Sequence, residues 1–529
     1  MKKILASFAL AAVLTAGFSS CSDFLEQPVL GQENLDTYFQ NEEECLKQVT
    51  GCYQSIAYDD WWQIYKFYLA SEMCTDDMWM GNTTQDASEY RDLAHYTGNG
   101  QTDCPQNYWQ YRYKGILRCN IVIAKVPGAN ITDETLRARM IAEAKFLRAY
   151  QYFELVNYFG DIPVVLSMSM PEEVAGITRT SVTEVYAQIE KDLTEAIPDL
   201  PKRSEYAASE MGRVTKGAAQ GLLGKVYLFQ EKYSDAEKEL NDVITSGEYE
   251  LLPNFGDVWS IANNNSKEGL FEVQTNSDLT YNLGERISVV CGSRDDSGWS
   301  WGLPTSNLEK AFLDAGDTER LKWTIIKHNA TEVAGDPSWT TENPYIITPD
   351  KHKSGRVTRK LYIPIDQRPS PYDGVHIPLN YRLLRYADVL LMYAEVENAL
   401  SKDNAARDAL NQVRKRAKLG DVLSSGTDLR DAIRLERRLE LALENQRLFD
   451  IRRWTDNNGK KAVCNIMGEN GTFVEYNLEE STDEYEKTNQ KENSNKGYYF
   501  REDRDLVFPI PHAEVSMSQG SITQNPNYN

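Results

Sequence analysis

Two tryptophans one residue apart, Trp299 and Trp301, stand in a stretch otherwise rich in Gly, Ser and Asp, SVVCGSRDDSGWSWGLPTS. Much earlier, Asp76 and Asp77 form an adjacent acid pair with Trp79 just beyond it. These residue types work well together on sugars. An aromatic face covers the apolar C–H side of a sugar ring, while Asp, Asn or Arg takes the hydroxyls. The aromatics free to do so are those in loops, because aromatics at helical spacing are usually core. On that criterion the candidate ligand-contacting residues are Trp79, Trp299 and Trp301, then Trp61, Trp62 and Tyr281, with Asp76, Asp77 and Arg91 as the polar half. For any one of these tryptophans a packing role weighs as much as a binding role. Trp301, ahead of a Gly-Leu-Pro-Thr turn, has a structural use of its own. Trp109 and Trp454 lie in helical or helix-end contexts and are assigned to packing.

An acid pair also raises hydrolysis. A retaining glycosidase needs two carboxyls about 5 Å apart across a cleft. Neighbouring acids in a chain with 79 of them are expected by chance. There is no H-E-x-x-H and no P-loop. Binding is therefore preferred to catalysis, and no catalytic residue is assigned. The 5 His are scattered and no C-x-x-C occurs, so neither a metal site nor a cofactor is expected.

The chain has 529 residues, 41% hydrophobic and 26% charged, enough for a sizeable core. Its net charge of -22 repels phosphate backbones, which argues against nucleic acid, and it disfavours docking on anionic lipid through a basic patch. A neutral sugar suffers no such penalty. The 30 Tyr and 10 Trp are a generous supply for flat contact surfaces.

The N-terminus reads as a targeting segment. Lys2 and Lys3 precede an apolar run from Ile4 to Phe18, too short to span a bilayer. It ends in Phe18-Ser19-Ser20-Cys21, small residues before a lone Cys, with Phe18 where Leu is commoner. The pattern resembles a bacterial lipoprotein signal, with Cys21 as the lipidation site and acyl chains as the anchor. The alternative is an ordinary secretory signal with an incidental Cys. The other Cys residues are Cys45, Cys52, Cys74, Cys104, Cys119, Cys291 and Cys464, an odd set that cannot all pair. Cys45 and Cys52 lie two turns apart on one helix, too far for a bridge. Buried free thiols are the default, with one or two disulfides left open.

Residues 1–20 are expected to be the signal and 21–41 a polar tether. Residues 42–254 form a helical part, with helices expected near 42–58, 108–125, 132–159, 181–197, 215–231 and 234–245. Ser181 with Glu184 has capping-box spacing, and Gly160 is a stop. Residues 85–107 read as surface loop. Residues 255–380 lose helical periodicity and form a loop-rich lobe, and such long loops are usually functional. Residues 381–457 return to helix, and 458–529 are again loop-rich. In the segment GLLGKVYLFQEKYSDAEKELNDVI, Gly224, Tyr227, Ala236 and Leu240 have offsets like those of a tetratricopeptide repeat. Residues 383–417 follow the same scheme loosely.

Residues 381–454 carry three helical patterns. The first uses Leu383, Leu384, Ala387, Leu390, Leu391 and Ala394; the second Ala406, Leu410, Val413 and Ala417; the third Ala432, Leu435, Leu439 and Ala442. The third is dense in charge. Pairing at i, i+3, Arg437 with Glu440 and Glu444 with Arg447, is the economical expectation.

The segment AKFLRAYQYFELVNYFGDIPVV, the charged third helix, and the ending FPIPHAEVSMSQGSITQNPNY together resemble the SusD/RagB family, surface lipoproteins of the Bacteroidetes that capture nutrients. The resemblance covers residues 21–528. It implies a mostly α fold of about four tetratricopeptide-like pairs beside a loop-rich lobe with short strands. It implies a glycan site drawing on the early loop and on the Gly/Trp loop, with residues that vary by substrate. It also implies a partner, a TonB-dependent SusC-like outer-membrane transporter, with the lipoprotein as its lid at the cell surface. Two alternatives stay open: a mainly structural lid with negligible glycan affinity, and capture of a peptide or other non-glycan nutrient.

Overall fold

The computed structural model describes residues 38–57, 64–80, 88–168, 176–281, 283–348, 354–370, 372–476 and 495–528. Cys21, Trp61 and Trp62 lie outside the described residues.

Helix pairs build the frame. Helix α1 (Glu42–Gln54) is capped by Asn41, whose side chain accepts from Glu44 N–H. Then come α2 (Ile64–Met73), strand β1 (Met78–Trp79) and α3 (Ser88–His95). The long α4 (Asp103–Lys125) and α5 (Glu134–Phe159) follow. Asp133 caps α5 through Leu136 N–H, and Gly160 stops it at φ 74°, a conformation that favours glycine. Next are α6 (Val182–Ala196), whose Ser181–Glu184 capping box is present, α7 (Lys216–Phe229) and α8 (Tyr233–Thr245). α1 packs on α4, α5 on α6, and α7 on α8. Gly224 is needed at the α7–α8 crossing, where an added Cβ would lie 2.6 Å from Leu240 Cγ.

The second half alternates short strands and helices. They are β2 (Gly269–Val273), α9 (Ile287–Cys291), β3 (Leu303–Pro304), α10 (Ser306–Asp314), α11 (Thr318–Thr324), β4 (Ile325–Lys327), β5 (Arg356–Thr358) and β6 (Tyr381–Arg385). The strands join as antiparallel pairs β1–β3, β2–β6 and β4–β5. Helices α12 (Tyr386–Ala399) and α13 (Asp403–Arg416) form a further pair, and α12 also packs on α8. Then come α14 (Gly426–Glu440), α15 (Arg447–Arg453), α16 (Ala462–Ile466), α17 (Thr472–Glu475), α18 (Glu502–Asp505) and α19 (His512–Met517). The fold is mostly α with a few short strands, as expected. One hydrophobic core runs through both halves, from Val49 and Leu147 to Leu308 and Leu390, with small satellite clusters around Phe255 and Tyr345.

Several local expectations are corrected. Residues 85–107 were expected as loop, but α3 and the start of α4 occupy part of them. Leu383 and Leu384 belong to strand β6, not to a helix, and all of the strand but the half-buried Leu383 is buried. The third helical pattern is two helices. The chain turns between them with Leu443 and Asn445 both at φ 61°.

Helix α14 also buries a different face. Leu435 is 43% exposed, whereas Glu436, Arg437 and Glu440 are buried beside Leu429 and Ile433. The expected i, i+3 pairs are replaced by pairs distant in sequence. Arg437 meets Asp388 at 2.8 Å and Asp450 at 3.1 Å. Glu440 takes Arg385 at 2.6 Å, Arg320 at 2.9 Å and Arg416. Glu444 takes Lys360 at 2.6 Å and Arg385 at 2.7 Å. Phe255 and Trp259 pave the same space, under Arg416, Lys360 and Arg385. The buried network thus ties α14 and the turn after it to α11, to the segment after β5 and to β6. Burial alone would raise the Glu440 carboxyl, yet Arg416, Arg385 and Arg320 hold it far below the usual carboxylate range.

Candidate functional site

The early loop and the Gly/Trp loop meet through β1 and β3. Met78 pairs with Pro304 and Trp79 with Leu303. Thr305 secures the join: its N–H donates to Asp77 O at 3.0 Å and its Oγ1 to Asp76 O at 2.7 Å.

This join removes three of the expected contact residues from the surface. Trp79 is 1% exposed, its ring packed 5.8 Å from Phe473 with Lys496 Nζ at 6.0 Å. Asp76 and Asp77 are buried and engaged: Arg447 forks onto both Asp76 oxygens at 2.9 and 2.8 Å, and Arg438 reaches Asp77 at 2.6 Å. Burial opposes ionisation of Asp76, but Arg438 and Arg447 outweigh it and hold the carboxyl well below its ordinary value. The assignment of Trp79, Asp76 and Asp77 to ligand contact is therefore corrected to a structural one. They anchor β1 beneath the Gly/Trp loop.

The tryptophans of that loop are placed differently. Trp299 and Trp301 are both half-buried, with ring centroids 5.3 Å apart and planes at 67°. Trp301 packs edge-on against Tyr90 of α3 at 6.0 Å, and Arg91, the next residue of that helix, is half-buried. The loop is rigid for local reasons. Trp299 and Trp301 donate their backbone N–H groups to Val289 O and Val290 O of α9, at 2.8 and 2.9 Å, and Ser300 N–H donates to Gly292 O at 2.8 Å. These bonds satisfy carbonyls at the end of a short helix. Arg294 Nε donates to Trp299 O at 3.1 Å. At Gly298 a Cβ would lie 2.3 Å from the Gly292 backbone, so only glycine allows the two strands of the loop to approach. Buried Glu285 holds the start of α9, accepting from the N–H groups of Ile287 and Ser288, and burial pushes its carboxyl up to about 7.

Gly298 to Gly302 has the G-x-S-x-G spacing of a hydrolase nucleophile motif. Its context is wrong for that chemistry. Ser300 is fully buried, its Oγ accepts from Arg294 N–H at 3.0 Å, and the turn follows a helix rather than a strand. The five residues form a turn that holds two tryptophans.

Tyr281 is 56% exposed in the loop before α9. That loop joins the segment after Tyr372 through the Glu285–Ile377 bridge. Tyr372, missed at the sequence level, is 36% exposed. Arg368 lies 5.2 Å over its ring and forks onto Asp296 of the Gly/Trp loop with two bonds of 2.7 Å. An added Cβ at Gly374 would sit 2.7 Å from Val289, the residue whose carbonyl holds Trp299, so the Tyr372 turn abuts the same support. The signal was available: Pro371-Tyr372-Asp373-Gly374 is a turn sequence with an aromatic inside it. Trp109 and Trp454 are 3% and 5% exposed, packing residues as assigned. A groove of about 590 Å³ between α4 and α19 is lined by none of the candidate residues.

A frame of helix pairs thus carries two half-buried tryptophans on a tightly bonded loop, an arrangement met in proteins that bind ligands on loops. The chain belongs to the SusD family: a family model described as "SusD family" matches residues 259–528, and one described as "Starch-binding associating with outer membrane" matches 23–228. It is 27% identical, over 100% of both chains, to SusD-like protein P2 of Formosa agariphila. It is 26% identical to the starch-binding protein SusD of Bacteroides thetaiotaomicron, over 46% of each. A solved laminarin-binding SusD-like protein superposes with a TM-score of 0.73 at 27% identity, covering 92% of this chain and 100% of that one.

Proposed function

We propose that this protein binds an oligo- or polysaccharide at the bacterial surface, without cleaving it, and delivers it to a TonB-dependent SusC-like transporter in the outer membrane. The observation that carries the reading is the Trp299–Trp301 pair, partly exposed on a loop whose backbone leaves it no slack. In this reading Tyr281, Tyr372 and Arg91 supply further contacts. The similarity to a laminarin-binding and a starch-binding protein supports a glycan as the ligand class. Lipidation at Cys21 supplies the membrane anchor in this reading. Affinity electrophoresis in polysaccharide gels tests the binding: retardation of the wild type that Trp299→Ala abolishes is expected, and equal retardation overturns the site assignment. Loss of labelled-palmitate incorporation in Cys21→Ala tests the anchor, and co-purification of the transporter tests the partner.

A further inference from the structure

Seven cysteines follow Cys21 in the sequence, and two of them face each other. Cys52 lies on the buried face of α1 and Cys119 on α4, the helix against which α1 packs; both are fully buried. The two helices are joined at the same level: Arg118 Nη1 donates to Gly51 O at 3.2 Å, and these residues are the sequence neighbours of the two cysteines. The Cys52 thiol lies within hydrogen-bond reach of the Cys119 thiol. Each sulfur is also steered from its own side. Cys52 Sγ donates to Gln48 O at 3.5 Å. Gln151 of α5 enters beside Gly115, where a Cβ would collide with it, and its Nε2 stands 4.0 Å from Cys119 Sγ. Two sulfurs in contact on packed helices need only small side-chain rotations to bond. The competing pairs are less well placed. Cys45 shares the buried face of α1 but sits two turns away, and Cys74 Sγ donates to Leu93 O at 3.4 Å.

We propose that Cys52 and Cys119 form a disulfide that fixes α1 to α4 when the chain folds under oxidising conditions, as after export. The proposal takes export from the reading above and is independent of glycan binding; an oxidising compartment is where such bonds persist. The oxidant is the disulfide of a thiol–disulfide exchange protein of the cell envelope. One cysteine thiolate attacks that disulfide and forms a mixed disulfide. The second thiolate then attacks the mixed bond, and the exchange protein leaves as a dithiol, carrying the two electrons and the two protons. Burial pushes the Cys119 thiol well above its usual range, so it is a poor nucleophile once folded, and exchange takes place before α1 closes over α4. The test refolds the full chain from the reduced, unfolded state in mixed reduced and oxidised glutathione, which supplies an oxidant whatever the chain's location. Alkylation, trypsin digestion without reductant and mass spectrometry follow. Cleavage after Lys47 and Arg118 leaves Cys52 in the peptide Gln48–Lys66 and Cys119 in Cys119–Lys125, each with one cysteine and both apart from Cys45. These two peptides should be joined in most molecules and separate after dithiothreitol. Both recovered singly and alkylated, or either joined to another cysteine, overturns the pairing. The oxidised protein should melt about 3–5 °C above protein refolded in dithiothreitol, because closing so long a loop restricts the unfolded chain. An equal Tm overturns the bond's hold on α1. Chain taken from the outer membrane should carry the same joined pair; free thiols there, with the bond formed in glutathione, overturn the export part alone.

Discussion

Glu440→Gln should lower stability without touching ligand affinity. Glu440 is fully buried and is shared by Arg385, Arg320 and Arg416. Glutamine keeps the volume but leaves three buried guanidiniums short of a counter-charge. Breaking a buried ion pair from one side costs about 3–5 kcal/mol. An unfolding entropy of about 2 cal/mol/K per residue, over a chain of this length, amounts to roughly 1 kcal/mol/K, so the expected drop in Tm is about 3–5 °C. The pH dependence has a definite sign. The folded Glu440 carboxyl lies far below its unfolded value, so its contribution is present above about pH 4.5 and is lost as pH falls below that. The acid limb of the Glu440→Gln stability curve should therefore be shallower than that of the wild type. Differential scanning calorimetry from pH 3 to 8, with Leu435→Ser as a solvent-face control expected within about 0.5 kcal/mol, makes the comparison. A Tm within about 1 °C of wild type would refute the network's role. A tenfold loss of glycan affinity in still-folded Glu440→Gln would place the network in the site.

Three further outcomes are expected. Trp79→Ala should cost about 3–5 kcal/mol by leaving a cavity against Phe473, so a lowered Tm in calorimetry, rather than a lost sugar contact, accounts for any fall in binding. Burial, with the nearby Asp77 charge, pushes Glu72 up to about 8. A raised carboxyl contributes stability that is present below about pH 4.5 and lost as pH rises toward 8, so Glu72→Gln should gain on the wild type in urea titrations between pH 5 and 8 and match it least well at the acid end. Tyr372→Ala should weaken glycan binding several-fold in titration calorimetry with little change in Tm, because the ring is 36% exposed; an unchanged affinity removes Tyr372 from the site.

The helices were legible because their apolar residues repeat at helical spacing and their ends carry local signals, such as the Ser181–Glu184 box and Gly160. Helix α14 was misjudged at Leu435 because its buried face is partly charged. Its partners, Arg320, Lys360 and Arg385, come from segments that no local window contains. Strand β6 resembles helix in the sequence because Leu383 and Leu384 satisfy a helical pattern by adjacency alone; what makes it a strand is β2, more than a hundred residues earlier. The loop-aromatic criterion picks out residues that do lie at least partly exposed in loops at Trp299, Trp301 and Tyr281. It failed at Trp79, which is covered by Phe473 and by Lys496, whose Nζ donates to Met73 O at 2.6 Å and to Thr75 O. Adjacent acids looked available at Asp76 and Asp77 because Arg438 and Arg447 lie more than 350 positions away. Tyr372 needed only the same criterion applied to its turn.

Titration calorimetry of folded Trp299→Ala against the polysaccharide that retards the wild type in gels tests the central claim most directly. A loss of affinity of more than about tenfold, with a circular dichroism spectrum like that of the wild type, is the result predicted by binding on the Trp299–Trp301 loop. Wild-type affinity in that variant would contradict it.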